Sequence, residues 1–147
     1  LGAKIAASPA CADKLLAGHD PTSAMFGHDI PTLEVDRVLH DGDDVQLGEA
    51  THKVLLTPGH SPGSCCYWDD QSGSLFSGDT VFAQGGIGRF DFPDGDLQQL
   101  AASILRLDQL PVQHLHCGHG PSVEGGAAAR SVTGSVRHVQ MCVEETR

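Results

Sequence analysis

The chain has 147 residues, of which 39% are hydrophobic, 19% charged and 5% aromatic, a size and mixture suited to one globular domain around a single core across residues 1–147. Nineteen acidic against nine basic residues leave a net charge of −10, which repels nucleic-acid backbones and anionic lipid surfaces, and no apolar run reaches the length of a membrane span. The expected partner is a small-molecule substrate, with no nucleic acid and no membrane.

Taken in chain order, Lys4 to Ala7 is a short apolar strand, and Ser8-Pro9 starts a helix that runs to about Ala17, with serine as the cap and proline at the first helical position. Gly18 to Thr32, rich in Gly, Pro, His and Asp, has no period and is expected to be a loop able to cover a site. Val35 to Leu39, Asp44 to Leu47 and His52 to Thr57 read as strands divided by Asp41-Gly42-Asp43 and Gly48-Glu49, turn chemistry that predicts a β-meander. Ser64 to Trp68 and Ser74 to Ser77 flank Asp69-Asp70-Gln71-Ser72-Gly73, a hairpin signal.

Val81 to Asp96 is a long glycine-punctuated loop carrying Phe82, Ile87, Phe90 and Phe92, of the kind that lines or covers a site. Asp96 is placed to cap a helix to about Leu107, whose apolar residues recur at helical spacing. Val112 to Cys117 is a further strand, and Val123 to about Glu145 a final helix weakened by Gly125, Gly126 and Gly134. The cysteines are Cys11, Cys65, Cys66, Cys117 and Cys142; their odd number, without CxxC spacing or a secretory signal, points to a reduced, cytoplasmic setting.

Three loops each place one metal-capable side chain just after an apolar run: Thr57-Pro58-Gly59-His60-Ser61-Pro62-Gly63, Ser77-Gly78-Asp79-Thr80 and Cys117-Gly118-His119-Gly120-Pro121. Imidazole, carboxylate and imidazole suit zinc or non-haem iron, metals that activate water or dioxygen. Cys117 lies two residues before His119, but the preceding strand directs it toward the core, and His114 and His116 inside that strand read as structural. Arg89 is able to orient an anionic substrate or to pair with Asp91 and fix its loop, the role favoured here.

These motifs, with Gly88-Arg89-Phe90-Asp91-Phe92-Pro93 between the second and third, resemble in order and spacing the later motifs of the metallo-β-lactamase-fold hydrolases, within them the glyoxalase II-like branch. The resemblance implies an α/β (α+β) fold, an αβ/βα sandwich of two facing mixed sheets with helices outside. It implies metal ligands His60, Asp79 and His119, with Asp79 as the bridging, catalytic carboxylate of a site for two zinc ions, and it places Arg89, Phe82 and Phe90 near substrate. The implied activity is hydrolysis of a thioester or related ester or lactone; iron, in a mononuclear persulfide dioxygenase, is the alternative, and a non-catalytic binding module a third.

The HxHxDH motif that the family carries early in the domain is absent from this chain. The expectation is therefore an incomplete sandwich, lacking its N-terminal strands and inactive by itself. Its ligands would be completed by another segment or by a second copy in a homo-oligomer.

Overall fold

The structure, a computed structural model, describes residues 2–146. A six-stranded sheet is the frame. Its strands are β3 (Asp44–Leu47), β4 (Ala50–Leu56), β5 (Cys65–Asp69), β6 (Ser74–Gly78), β7 (His114–Cys117) and β8 (Val123–Glu124), in that spatial order. Neighbours from β3 to β6 are antiparallel, β6 and β7 run parallel, and β8 returns antiparallel. The parallel step needs a crossover, supplied by the long loop and α3 (Leu97–Leu107).

One face of this sheet packs against α3 and α4 (Gly126–Glu145). Leu55, Cys66, Trp68, Leu75 and Leu115 meet Leu100, Ile104, Leu107, Ala128, Val132 and Val139 in one core. Leu100, Ile104 and Leu107 are fully buried, each stabilising by about 1.5–3 kcal/mol relative to exposure. Asp96 caps α3 as its sequence position predicts, accepting from the Gln99 amide at 2.9 Å. Its carboxyl is held below the usual range by that amide and the Gln99 side chain. The final helix begins only at Gly126, because Val123–Glu124 joins the sheet as β8.

The other face is thinly covered. Here β1 (Ala6–Ala7) pairs in parallel with β2 (Arg37–Val38) as a separate two-stranded sheet. The stretch around Val35 to Leu39 therefore does not join the predicted meander. α1 (Pro9–Ala17) forms where expected, but Ser8 does not cap it; its hydroxyl donates to the Gly63 carbonyl at 2.7 Å, tying α1 to the His60 loop. The segment read as a loop from Gly18 to Thr32 holds a short helix, α2 (Pro21–Met25), capped by Asp20.

This far face carries a groove of about 320 Å3 lined by Ala6, Leu39, Val45, Leu47, Tyr67 and Phe76. His52 also lines it, 8% exposed, with its Nδ1 atom buried and without a hydrogen-bond partner. No helix among the described residues is long and apolar enough to cross a membrane.

Candidate metal centre

The three loops marked in the sequence meet at one end of the six-stranded sheet. His60 follows β4, Asp79 follows β6 and His119 follows β7. The approach is shaped by a register shift between β6 and β7, where Phe76 pairs with His116 but Gly78 pairs with Cys117. Such an extra residue bends a strand and re-aims the side chains beyond it. Ser77, the inserted residue, donates its hydroxyl to the Val81 carbonyl at 2.7 Å and closes the turn that carries Asp79.

The carboxylate of Asp79 is the meeting point. His60 Nε2 lies 3.6 Å and His119 Nε2 3.3 Å from the same oxygen, Asp79 Oδ2. His60 and Asp79 are about three-quarters buried, whereas the His119 side chain is 80% exposed. The His60 ring is oriented from behind, its Nδ1 lying 2.7 Å from the Arg89 carbonyl oxygen. A carbonyl only accepts, so by hydrogen-bond logic Nδ1 carries the proton. In a neutral ring Nε2 then turns a lone pair toward a carboxylate oxygen, an arrangement satisfied by a proton or a cation between them.

Two glycines make the approach fit. A Cβ on Gly118 would come 2.2 Å from Asp79 Oδ1, and one on Gly88 would come 1.8 Å from the Asp79 carbonyl oxygen. Neither position has room for a larger residue unless the loops move.

The donor set suits a borderline divalent cation. Both separations are near the ligand-to-ligand edge of a zinc tetrahedron, roughly 3.3 Å for Zn–N bonds of about 2.0–2.1 Å. No three such donors among the described residues, however, are placed to hold an ion as they stand. Asp79 is thus shared by two imidazoles.

A buried polar bridge, with no local signal in the sequence, sets the spacing of the two inner loops. Thr57 Oγ1 and Thr80 Oγ1 lie 3.0 Å apart, and Cys66 Sγ is 3.4 Å from Thr57 Oγ1 and 3.6 Å from Thr80 Oγ1. Burial pushes the Cys66 thiol up to about 11, so it stays a neutral partner. From outside, Ser103 of α3 donates to the Pro58 carbonyl at 2.8 Å, and the Asp96 amide donates to the Gly59 carbonyl.

The remaining sequence candidates are distributed around this point. Phe82 meets the His119 ring edge-on at 6.1 Å, whereas Phe90 packs against the core. Arg89 forms a two-pronged pair with Asp91, at 2.9 and 2.7 Å, and lies 4.3 Å over the Phe92 ring. The Arg89 guanidinium lowers the Asp91 carboxyl. Cys117 packs against the helix-side core, and burial raises its thiol. His116 stacks on Phe76 and contacts Ser122, and His114 approaches Glu124.

The chain is similar to known proteins in sequence and in fold. A hydroxyacylglutathione hydrolase of Rhodospirillum rubrum is 42% identical over 86 residues, 58% of this chain and 32% of that protein. Among solved structures, the BLEG-1 B3 metallo-beta-lactamase superposes with a TM-score of 0.70 at 30% identity, covering 94% of this chain and 64% of that one. TTHA1623, solved in a di-iron-bound form, gives a TM-score of 0.66 at 34% identity, covering 89% and 64%. The chain spans 32% to 47% of the length of four curated relatives that it matches. The model of the metallo-beta-lactamase superfamily matches residues 3–119, and the chain belongs to that superfamily.

Proposed function

We propose that this chain carries the later half of the metal site of a hydrolase that cleaves a thioester or a related ester or lactone. The observation behind it is the convergence of His60 and His119 on one oxygen of Asp79. Relatives named hydroxyacylglutathione hydrolase support the bond class. His60 and His119 would hold zinc through Nε2 and Asp79 through its carboxylate. Bound zinc supplies a hydroxide near neutral pH and an electrophile for the carbonyl oxygen. The chain's own part is orientation: the Arg89 carbonyl fixes the His60 ring, and the Thr57–Thr80 bridge holds the His60 and Asp79 loops at constant separation. Arg89, held by Asp91, acts first on its loop, and Phe82 borders the His119 side of the site.

The ligand set is completed by a further segment of the same fold seated on the far face. Two features support that occupant: the apolar groove with its unpartnered His52 nitrogen, and the 36% of the BLEG-1 chain (100% − 64%) that lies outside the match. Metal analysis of the purified chain, with thioester and ester hydrolysis measured alongside, tests the proposal. Less than about half a zinc per chain would show that this polypeptide alone is not the active enzyme.

Iron in place of zinc, in a mononuclear persulfide dioxygenase, is the second reading; the di-iron-bound form of TTHA1623 supports only that such a fold takes iron. Iron retention and oxygen uptake with a persulfide would select it. The setting proposed for either activity is the cytoplasm.

A further inference from the structure

Between α1, α2 and the His60 loop lies a cavity of about 390 Å3, within the usual range for a small-molecule site. Its wall includes His60, so it opens beside the Asp79 cluster. Leu15, Ile30, Phe92 and the thiol-bearing Cys11 give it a largely apolar lining. The Phe92 ring meets His60 edge-on at 6.4 Å and Phe26 at 5.9 Å, closing one side.

The charged residues at the cavity are already committed to one another. The Lys14 ammonium lies 2.5 Å from Asp20 and 2.6 Å from Asp94. Burial alone would lower the lysine, but hydrogen bonds and charge from the two aspartates outweigh it and raise its affinity for the proton. One ammonium against two carboxylates leaves a net negative charge here, on a chain already at −10. A cationic site for a carboxylate-bearing ligand would need the opposite sign or a free donor.

We propose that this cavity is the acyl subsite, which takes the neutral apolar end of a (thio)ester and disfavours carriers that bring carboxylates to it. This rests on the hydrolase reading and adds the substrate class: a neutral acyl group of moderate length, with the cleaved carbonyl toward His60.

The test uses two unreactive probes and the metal-free chain. N-butylhexanamide is a neutral isostere of a hexanoyl thioester; S-hexylglutathione carries the same length of chain on an anionic peptide. Binding is read by equilibrium dialysis and by protection of Cys11 from N-ethylmaleimide, with Cys142 as an internal control in peptide mass spectrometry. The amide is expected to bind about tenfold tighter than the glutathione conjugate or better and to slow alkylation at Cys11 but not at Cys142. Leu15→Gln is expected to abolish the protection. Asp94→Asn, which neutralises the local charge, is expected to narrow the gap between probes and leave amide binding unchanged.

Equal binding of the two probes, protection that survives Leu15→Gln, or no protection at Cys11 would each overturn the proposal. Neither probe is hydrolysed under these conditions, so the outcome is separable from the hydrolase reading. Amide binding by a protein that stays without hydrolytic activity once zinc and the completing segment are supplied would sink that reading and leave the subsite standing; hydrolysis without Cys11 protection would do the reverse.

Discussion

Thr57 and Thr80 meet hydroxyl to hydroxyl at 3.0 Å, 0% and 1% exposed, and so join the loop that carries His60 to the turn that carries Asp79. Thr57→Val keeps the shape but leaves the Thr80 hydroxyl and the Cys66 thiol short of a partner. A cost of about 1–3 kcal/mol is expected. The double variant Thr57→Val/Thr80→Val should lose less than the sum of the single variants, because both partners leave together. Urea midpoints measure this, and strict additivity would count against the bridge.

His60→Ala, Asp79→Ala and His119→Ala should each weaken zinc binding by about tenfold or more, and each should abolish any hydrolysis. Cys117→Ala should retain both, because Cys117 packs on the helix-side core. Competition with a chromophoric chelator gives the affinities. A loss at Cys117 equal to that at His119 would overturn the ligand assignment.

Gly118→Ala introduces a methyl group 2.2 Å from Asp79 Oδ1, so the carboxylate or the β7 loop must move. Zinc affinity should fall by about 10–100-fold, the usual effect of disturbing a residue that positions a ligand, while the thermal midpoint changes little. Unchanged affinity would show that the Asp79 carboxylate is free to rotate.

Acid should weaken the tie between α3 and the start of the sheet. Arg106 donates to both Asp41 oxygens, at 2.7 and 2.9 Å, and the Leu56 amide adds a third bond at 2.8 Å. Arg106 is the main cause holding the Asp41 carboxyl below its ordinary value, and the Leu56 amide contributes. A depressed carboxyl stabilises the fold above its unfolded value, and the contribution is lost as pH falls through the folded one, hence below about pH 4. Both side chains are more than 40% exposed, so solvent screening limits the pair to about 0–1 kcal/mol. Asp41→Asn should therefore be slightly less stable at neutral pH, and the difference should close on acidification. Urea midpoints along a pH series would show it; a constant difference would remove the ion pair as its source.

The turns that carry His60, Asp79 and His119 were legible in the local sequence. His60, Asp79 and His119 each follow an apolar strand and sit among glycines and prolines, signals that are complete within a few residues and need no distant partner. The helix from Leu97 to Leu107 was legible for the same reason, through its aspartate cap and its period. Tertiary structure alone decided which strand joins which sheet. Arg37–Val38 pairs with Ala6–Ala7 rather than continuing into β3, because an extended apolar run carries no record of the edge it will complete. Tertiary structure also decided the Thr57–Thr80 bridge, the unpartnered nitrogen of His52 and the Lys14 pairs with Asp20 and Asp94. Hydroxyls, imidazoles and carboxylates far apart in the chain leave no periodic trace, and only the packed chain brings them within bonding distance.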